Sequence, residues 1–77
     1  MNSTVTNEIL VFKTNIRYKK DVNKVSPLLE SDSRVMEWNV DQMDIDNVLR
    51  IASDELHPTE VITMIQTAGY FCEELPD

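Results

Sequence analysis

Glycine is almost missing from this 77-residue sequence, which holds 1 Gly and 3 Pro. That scarcity excludes glycine-rich phosphate loops, collagen-like repeats and low-complexity linkers. There is 1 cysteine, so no internal disulfide can form. The paired spacing of a zinc site is missing as well, and a reducing compartment is the simplest setting. With 1 histidine, far in sequence from the cysteine, neither a Cys/His nor a Ser/His/Asp arrangement exists, and the chain is not expected to be an enzyme. Aromatic residues make up 6%, too few for the stacking surface that RNA-binding domains present. Basic residues number 7 against 14 acidic ones, a net charge of −7 that repels phosphate backbones and anionic lipids. No apolar run approaches the length of a membrane span. Residues 1–8 carry neither basic residues nor an apolar stretch of signal-peptide kind, so a cytoplasmic protein without membrane insertion is expected.

Hydrophobic residues make up 42%, enough for one small globular domain whose core buries only a modest share of its surface. The expected organisation is a tail over 1–7, one domain over 8–75 and a short tail at 76–77. Charge is unevenly spread. Residues 1–24 carry Lys13, Arg17, Lys19, Lys20 and Lys24 against Glu8 and Asp21, a net +3, whereas residues 25–77 sum to −10. The opening stretch is a basic island in an acidic chain.

Apolar alternation over 8–16 predicts a strand with Leu10, Phe12, Thr14 and Ile16 on one face and Ile9, Val11 and Lys13 on the other. From Lys19 to Glu30 the period becomes helical, with Val22, Val25 and Leu29 on one side. Pro27 lies within it, at a cost of about 3 kcal/mol in a helix interior. A kink there is expected in preference to a second turn capped by Ser26. Met36, Trp38 and Val40 alternate with Glu37, Asn39 and Asp41 as a second strand, and an acidic connection over 42–47 leads to a third at Val48–Ala52. Pro58 suits a first helical position and Glu60 the positive first turn. Val61, Met64, Ile65 and Ala68 form the stripe of a second helix, which stops at Gly69, where a left-handed cap favours glycine. Tyr70–Leu75 is a last strand. The order βαββαβ predicts an α+β, ferredoxin-like sandwich: a four-stranded antiparallel sheet with both helices on one face.

These residues resemble the heavy-metal-associated (HMA) domain of copper chaperones and copper-transporting ATPases. In that family a strand ends in Met-x-Cys-x-x-Cys, a helix with apolar residues four and eight positions past the second Cys follows, and Gly-Tyr closes the second helix. Here Ile16-x-Tyr18-x-x-Asp21 falls on the motif, Val25 and Leu29 take the two apolar positions, and Gly69-Tyr70 closes helix two. Residues 35–41 and 56–62 also resemble the family's second strand and its entry to helix two. Both motif cysteines are replaced, by Tyr18 and Asp21, and a register three residues earlier would place Asn15 and Tyr18 there instead. Soft Cu(I) is held by thiolates, so a phenol and a carboxylate are a poorly matched pair.

The resemblance implies a scaffold without its metal chemistry, and a non-metal-binding protein-interaction module is the leading expectation. Arg17, Tyr18, Lys19, Lys20 and Tyr70 would form its contact surface, for a protein partner with an acidic face or for self-association. In the family the Gly-Tyr tyrosine lies beside the metal loop. That placement implies aromatic side chains filling the former site, with Tyr70 near Tyr18 and Asp21 free to pair with Lys19 or Lys20. No cofactor is expected. The alternative is a carrier that binds Cu(I) or Zn(II) weakly through non-standard ligands, Cys72, His57 or Met43, across a dimer. Against it, alternation points Cys72 into the core, His57 sits at a cap position, and Met36 and Met64 lie on core stripes, leaving only Met43 exposed. Asp41, Asp44 and Asp46 lack the glycine and distal glutamate of a calcium loop.

Overall fold

The computed structural model describes residues 8–75; the expected tails at 1–7 and 76–77 lie outside the described residues. Six elements follow one another: β1 (Glu8–Thr14), α1 (Lys19–Glu30), β2 (Glu37–Asp41), β3 (Val48–Ser53), α2 (Pro58–Thr67) and β4 (Cys72–Glu74). The strands form one antiparallel sheet in the order β2-β3-β1-β4. This is the ferredoxin-like arrangement that the βαββαβ order predicts.

Alternation sorts the side chains as expected. Leu10 and Phe12 of β1 share a face with Leu49 and Ile51 of β3, through the pairs Leu10↔Ile51 and Phe12↔Leu49. Both helices cover that face, with Val25 and Leu29 from α1 and Val61 and Ile65 from α2 fully buried against it. The opposite face carries Ile9, Val11, Lys13 and Arg50 and stays at least partly solvated.

The ends of the elements depart from the expected pattern for local reasons. β1 stops at Thr14 because the buried Thr14 hydroxyl accepts the Ile16 N–H at 3.1 Å and donates to the Asn47 carbonyl at 2.7 Å. The chain therefore turns there, and Ile16 is fully buried. α1 runs unbroken through Pro27, with no second capped turn. Met36 is a correction: it is 55% exposed instead of core. Its N–H still reaches the Ala52 carbonyl, but it sits just ahead of β2, at the end of the ladder. β4 begins two residues late because Gly69 (φ 96°) and Tyr70 are spent ending α2. Gly69 N–H reaches the Gln66 carbonyl and Tyr70 N–H the Ile65 carbonyl, the paired bonds of a Schellman cap.

Candidate functional site

Three connections meet at the end of the sheet where β1 stops. Thr14 N–H donates to the Asp46 carbonyl, tying the β1–α1 loop to the β2–β3 hairpin. The Asn15 side-chain oxygen accepts the Phe71 N–H at 2.9 Å, tying the same loop to the segment after α2. Tyr70 closes the group by donating its phenolic hydrogen to Asp21 Oδ1 at 2.7 Å.

Asp21 organises the start of α1. Tyr18 is the N-cap, with extended backbone (φ −119°, ψ 161°), and Asp21 stands three residues on. At that spacing its Oδ2 reaches back to the Tyr18 N–H at 3.0 Å and the Arg17 N–H at 3.3 Å, amides that the helix leaves without partners. The Tyr70 hydroxyl, followed by these two amides and the Lys20 charge, holds the Asp21 carboxyl below the usual carboxylate range. The same contact pushes the Tyr70 phenol above its usual range. The expected pairing of Asp21 with Lys19 or Lys20 is therefore corrected, because both carboxylate oxygens are engaged by the phenol and the helix start.

Around this latch four basic residues lie on the surface. Among the described residues the ion pairs use Lys13, Arg34 and Arg50 as cations. Arg17, Lys19, Lys20 and Lys24 enter none of them and are exposed. Tyr18 is 61% exposed, with Lys20 Nζ 5.8 Å from its ring centre, so it lies on the surface and is not the aromatic plug expected at that position.

The alternative ligands are dispersed. Cys72 is buried, and burial pushes its thiol up to about 12, which keeps it protonated. His57 caps α2 at the opposite end of the sheet, near the end of β3. Met43 is 97% exposed on the β2–β3 hairpin. Among the described residues no group of three or more His, Cys, Asp or Glu side chains is arranged to hold a metal ion. At the motif positions, a carboxylate with both oxygens engaged and a solvent-facing phenol do not fit a soft cation.

The yeast copper transporter domain Ccc2a superposes with a TM-score of 0.75 at 17% identity, over 90% of this chain and 96% of that one. The fold is that of the heavy-metal-associated domains. The N-terminal domain of ZntA in its Zn(II) form matches at 0.74 and 17% identity, over 90% and 93% of the two chains. The Cu(I)-loaded first domain of the human copper chaperone CCS matches at 0.75 and 18%, over 91% and 94%. No family model and no curated protein sequence matches the chain. At these identities the likeness speaks for the HMA fold.

Two features escaped the sequence. The Asp21–Tyr70 bond spans 49 positions, although the Tyr18-x-x-Asp21 spacing, that of a cap and its returning carboxylate, was a legible signal for half of it. Ile45, 93% exposed beside Met43, carried no signal, because hydrophobicity alone gives no reason to expect it in solvent.

Proposed function

We propose that this chain is an interaction module on the HMA fold that works without metal, recognising a protein partner through the corner formed by Arg17, Tyr18, Lys19, Lys20 and Tyr70. One observation carries the reading. Asp21, at the second ligand position of the family motif, has both oxygens engaged by Tyr70 and the amides of Arg17 and Tyr18. A metal would have to break that latch to recruit a hard, mismatched donor.

The exposed cations beside Tyr18, in no ion pair among the described residues, supply a contact surface in its place. Tyr and Arg are the side chains that anchor interfaces most often, and a basic rim steers an acidic surface into register. Complexes of such domains exist, as the structure of Atx1-Cu(I)-Ccc2a illustrates for its own components. The module needs no cofactor and performs no catalysis. A cytoplasmic setting agrees with the single cysteine, and among the described residues no helix is long and apolar enough to cross a membrane. The test is affinity capture with the native chain and with Lys19→Glu/Lys20→Glu. The charge-reversed chain is expected to lose the partners that the native chain retains, and to retain its melting temperature. An unchanged set of partners would refute the role of this corner.

A further inference from the structure

The end of the sheet carries more exposed apolar surface than the basic corner accounts for. Met43 is 97% exposed, Ile45 93% and Phe71 47%, in addition to Tyr18. Single exposed hydrophobic side chains are ordinary, whereas several at one end of a small domain mark a contact surface.

The hairpin that presents Met43 and Ile45 is well braced. Asp41 Oδ1 accepts the Met43 N–H at 3.1 Å and Asp44 Oδ1 accepts the Asp46 N–H at 2.9 Å. Asn47, at φ 45°, closes the turn with its N–H on the Asp44 carbonyl. Both ends of the hairpin are fastened, by Thr14 to Asp46 and Asn47 and by the Lys13–Asp46 and Arg50–Asp41 pairs. A turn whose own polar groups are satisfied in this way holds its two aliphatic side chains outward at little further entropic cost on docking.

Charge identifies what covers them. The hairpin is acidic, with Asp41 and Asp46 facing Arg50 and Lys13 and Asp44 in no ion pair among the described residues, while the neighbouring corner is basic, with Arg17, Lys19 and Lys20. Both lie at the same end, joined through Thr14. A surface with opposite charges side by side is self-complementary under a twofold axis, which sets each corner against the other copy's hairpin. We propose that a second copy of this chain docks here, end to end, with Met43 and Ile45 of each protomer against Tyr18 and Phe71 of the other and Asp44 facing Arg17, Lys19 and Lys20. The inference rests on the interaction reading above and names its partner.

The hollow beside β2 does not suit the hairpin. It measures about 200 Å³ on the open sheet face and is lined by Ile9, Trp38 and Ala52 beside Glu37. Its one cation, Arg50, already faces Asp41. An acidic hairpin entering there meets like charge, which disfavours head-to-tail stacking on this face.

Sedimentation of the native chain from roughly 10 μM to 1 mM at low salt is the test, a range suited to a weak dimer. A monomer–dimer equilibrium is expected, weakened in about 0.5 M NaCl, where exposed charges are screened. Met43→Ser/Ile45→Ser is expected to be monomeric at an unchanged melting temperature. Lys19→Glu/Lys20→Glu and Asp44→Lys are each expected to be monomeric alone and to dimerise when mixed in equimolar amounts, with circular dichroism confirming that each is folded. A native chain that stays monomeric throughout overturns the proposal, while partner capture by the basic corner would still stand. Assemblies that grow beyond a dimer, or reversed chains that fail to pair on mixing, overturn it too.

Discussion

Tyr70 donates its phenolic hydrogen to Asp21 across 2.7 Å, tying the first turn of α1 to the residue that ends α2. The reciprocal contact exists at the other end of the molecule. Glu60, third in α2, accepts the His57 N–H at 3.0 Å with one oxygen and Arg34 at 2.8 Å with the other, and Arg34 follows α1. Each helix therefore starts with a carboxylate that caps its own amides and is held by a residue from beyond the other helix. The two halves repeat an interaction although their sequences show no repeat.

Tyr70→Phe removes the donor and leaves the Asp21 cap. The melting temperature is expected to fall by a few degrees, and the Asp21 carboxyl to rise toward its ordinary value, measured by NMR titration of its side-chain carbon.

The pH dependence follows from the same pair. The native Asp21 pKa is depressed, so its contribution is present above the unfolded value of about 4 and is lost as pH falls through the lower native pKa. The Tyr70 pKa is raised, so its contribution holds below the unfolded value of about 10 and is lost as pH rises through the native pKa. Tyr70→Phe should flatten both arms of a stability–pH curve obtained by urea denaturation.

Leu29→Ala empties a fully buried position where α1 meets the sheet. A loss of about 2–5 kcal/mol is expected from urea unfolding. In a domain of this size that is a large part of the total stability.

Gly69→Ala isolates a backbone effect. A Cβ at Gly69 meets nothing within 4 Å, so only the positive φ opposes it. The expected cost is about 1 kcal/mol, read as a lower urea midpoint at constant slope.

Cys72 is buried and its thiol is pushed up to about 12. It should resist a disulfide reagent at mildly alkaline pH in the native protein and react fully once urea unfolds the chain. Fast modification of the native protein would contradict its placement in the core.

Much of the fold was legible because two periods alternate cleanly along the chain. Leu10 and Phe12 read as one face of a strand, and Val25 and Leu29 as one face of a helix, because burial of those faces is what the sheet and helices exist to achieve. Gly69 marked the end of α2 because little else accepts its backbone angle. Met36 was misplaced because alternation continues past the point where the packed layers end. The candidate corner was legible as a cluster of charge, but the spending of Asp21 on Tyr70 was not. Such a bond depends on tertiary placement across 49 positions, and no local pattern encodes it.

The most direct measurement is a titration of isotopically labelled protein with Cu(I) and then Zn(II), followed by amide shifts over residues 15–21 and at Tyr70. A metal-independent module predicts that these signals stay in place at stoichiometric metal and that the Asp21–Tyr70 contact persists. Saturable, stoichiometric shifts at Tyr18 and Asp21, with release of the Tyr70 hydroxyl, would contradict it.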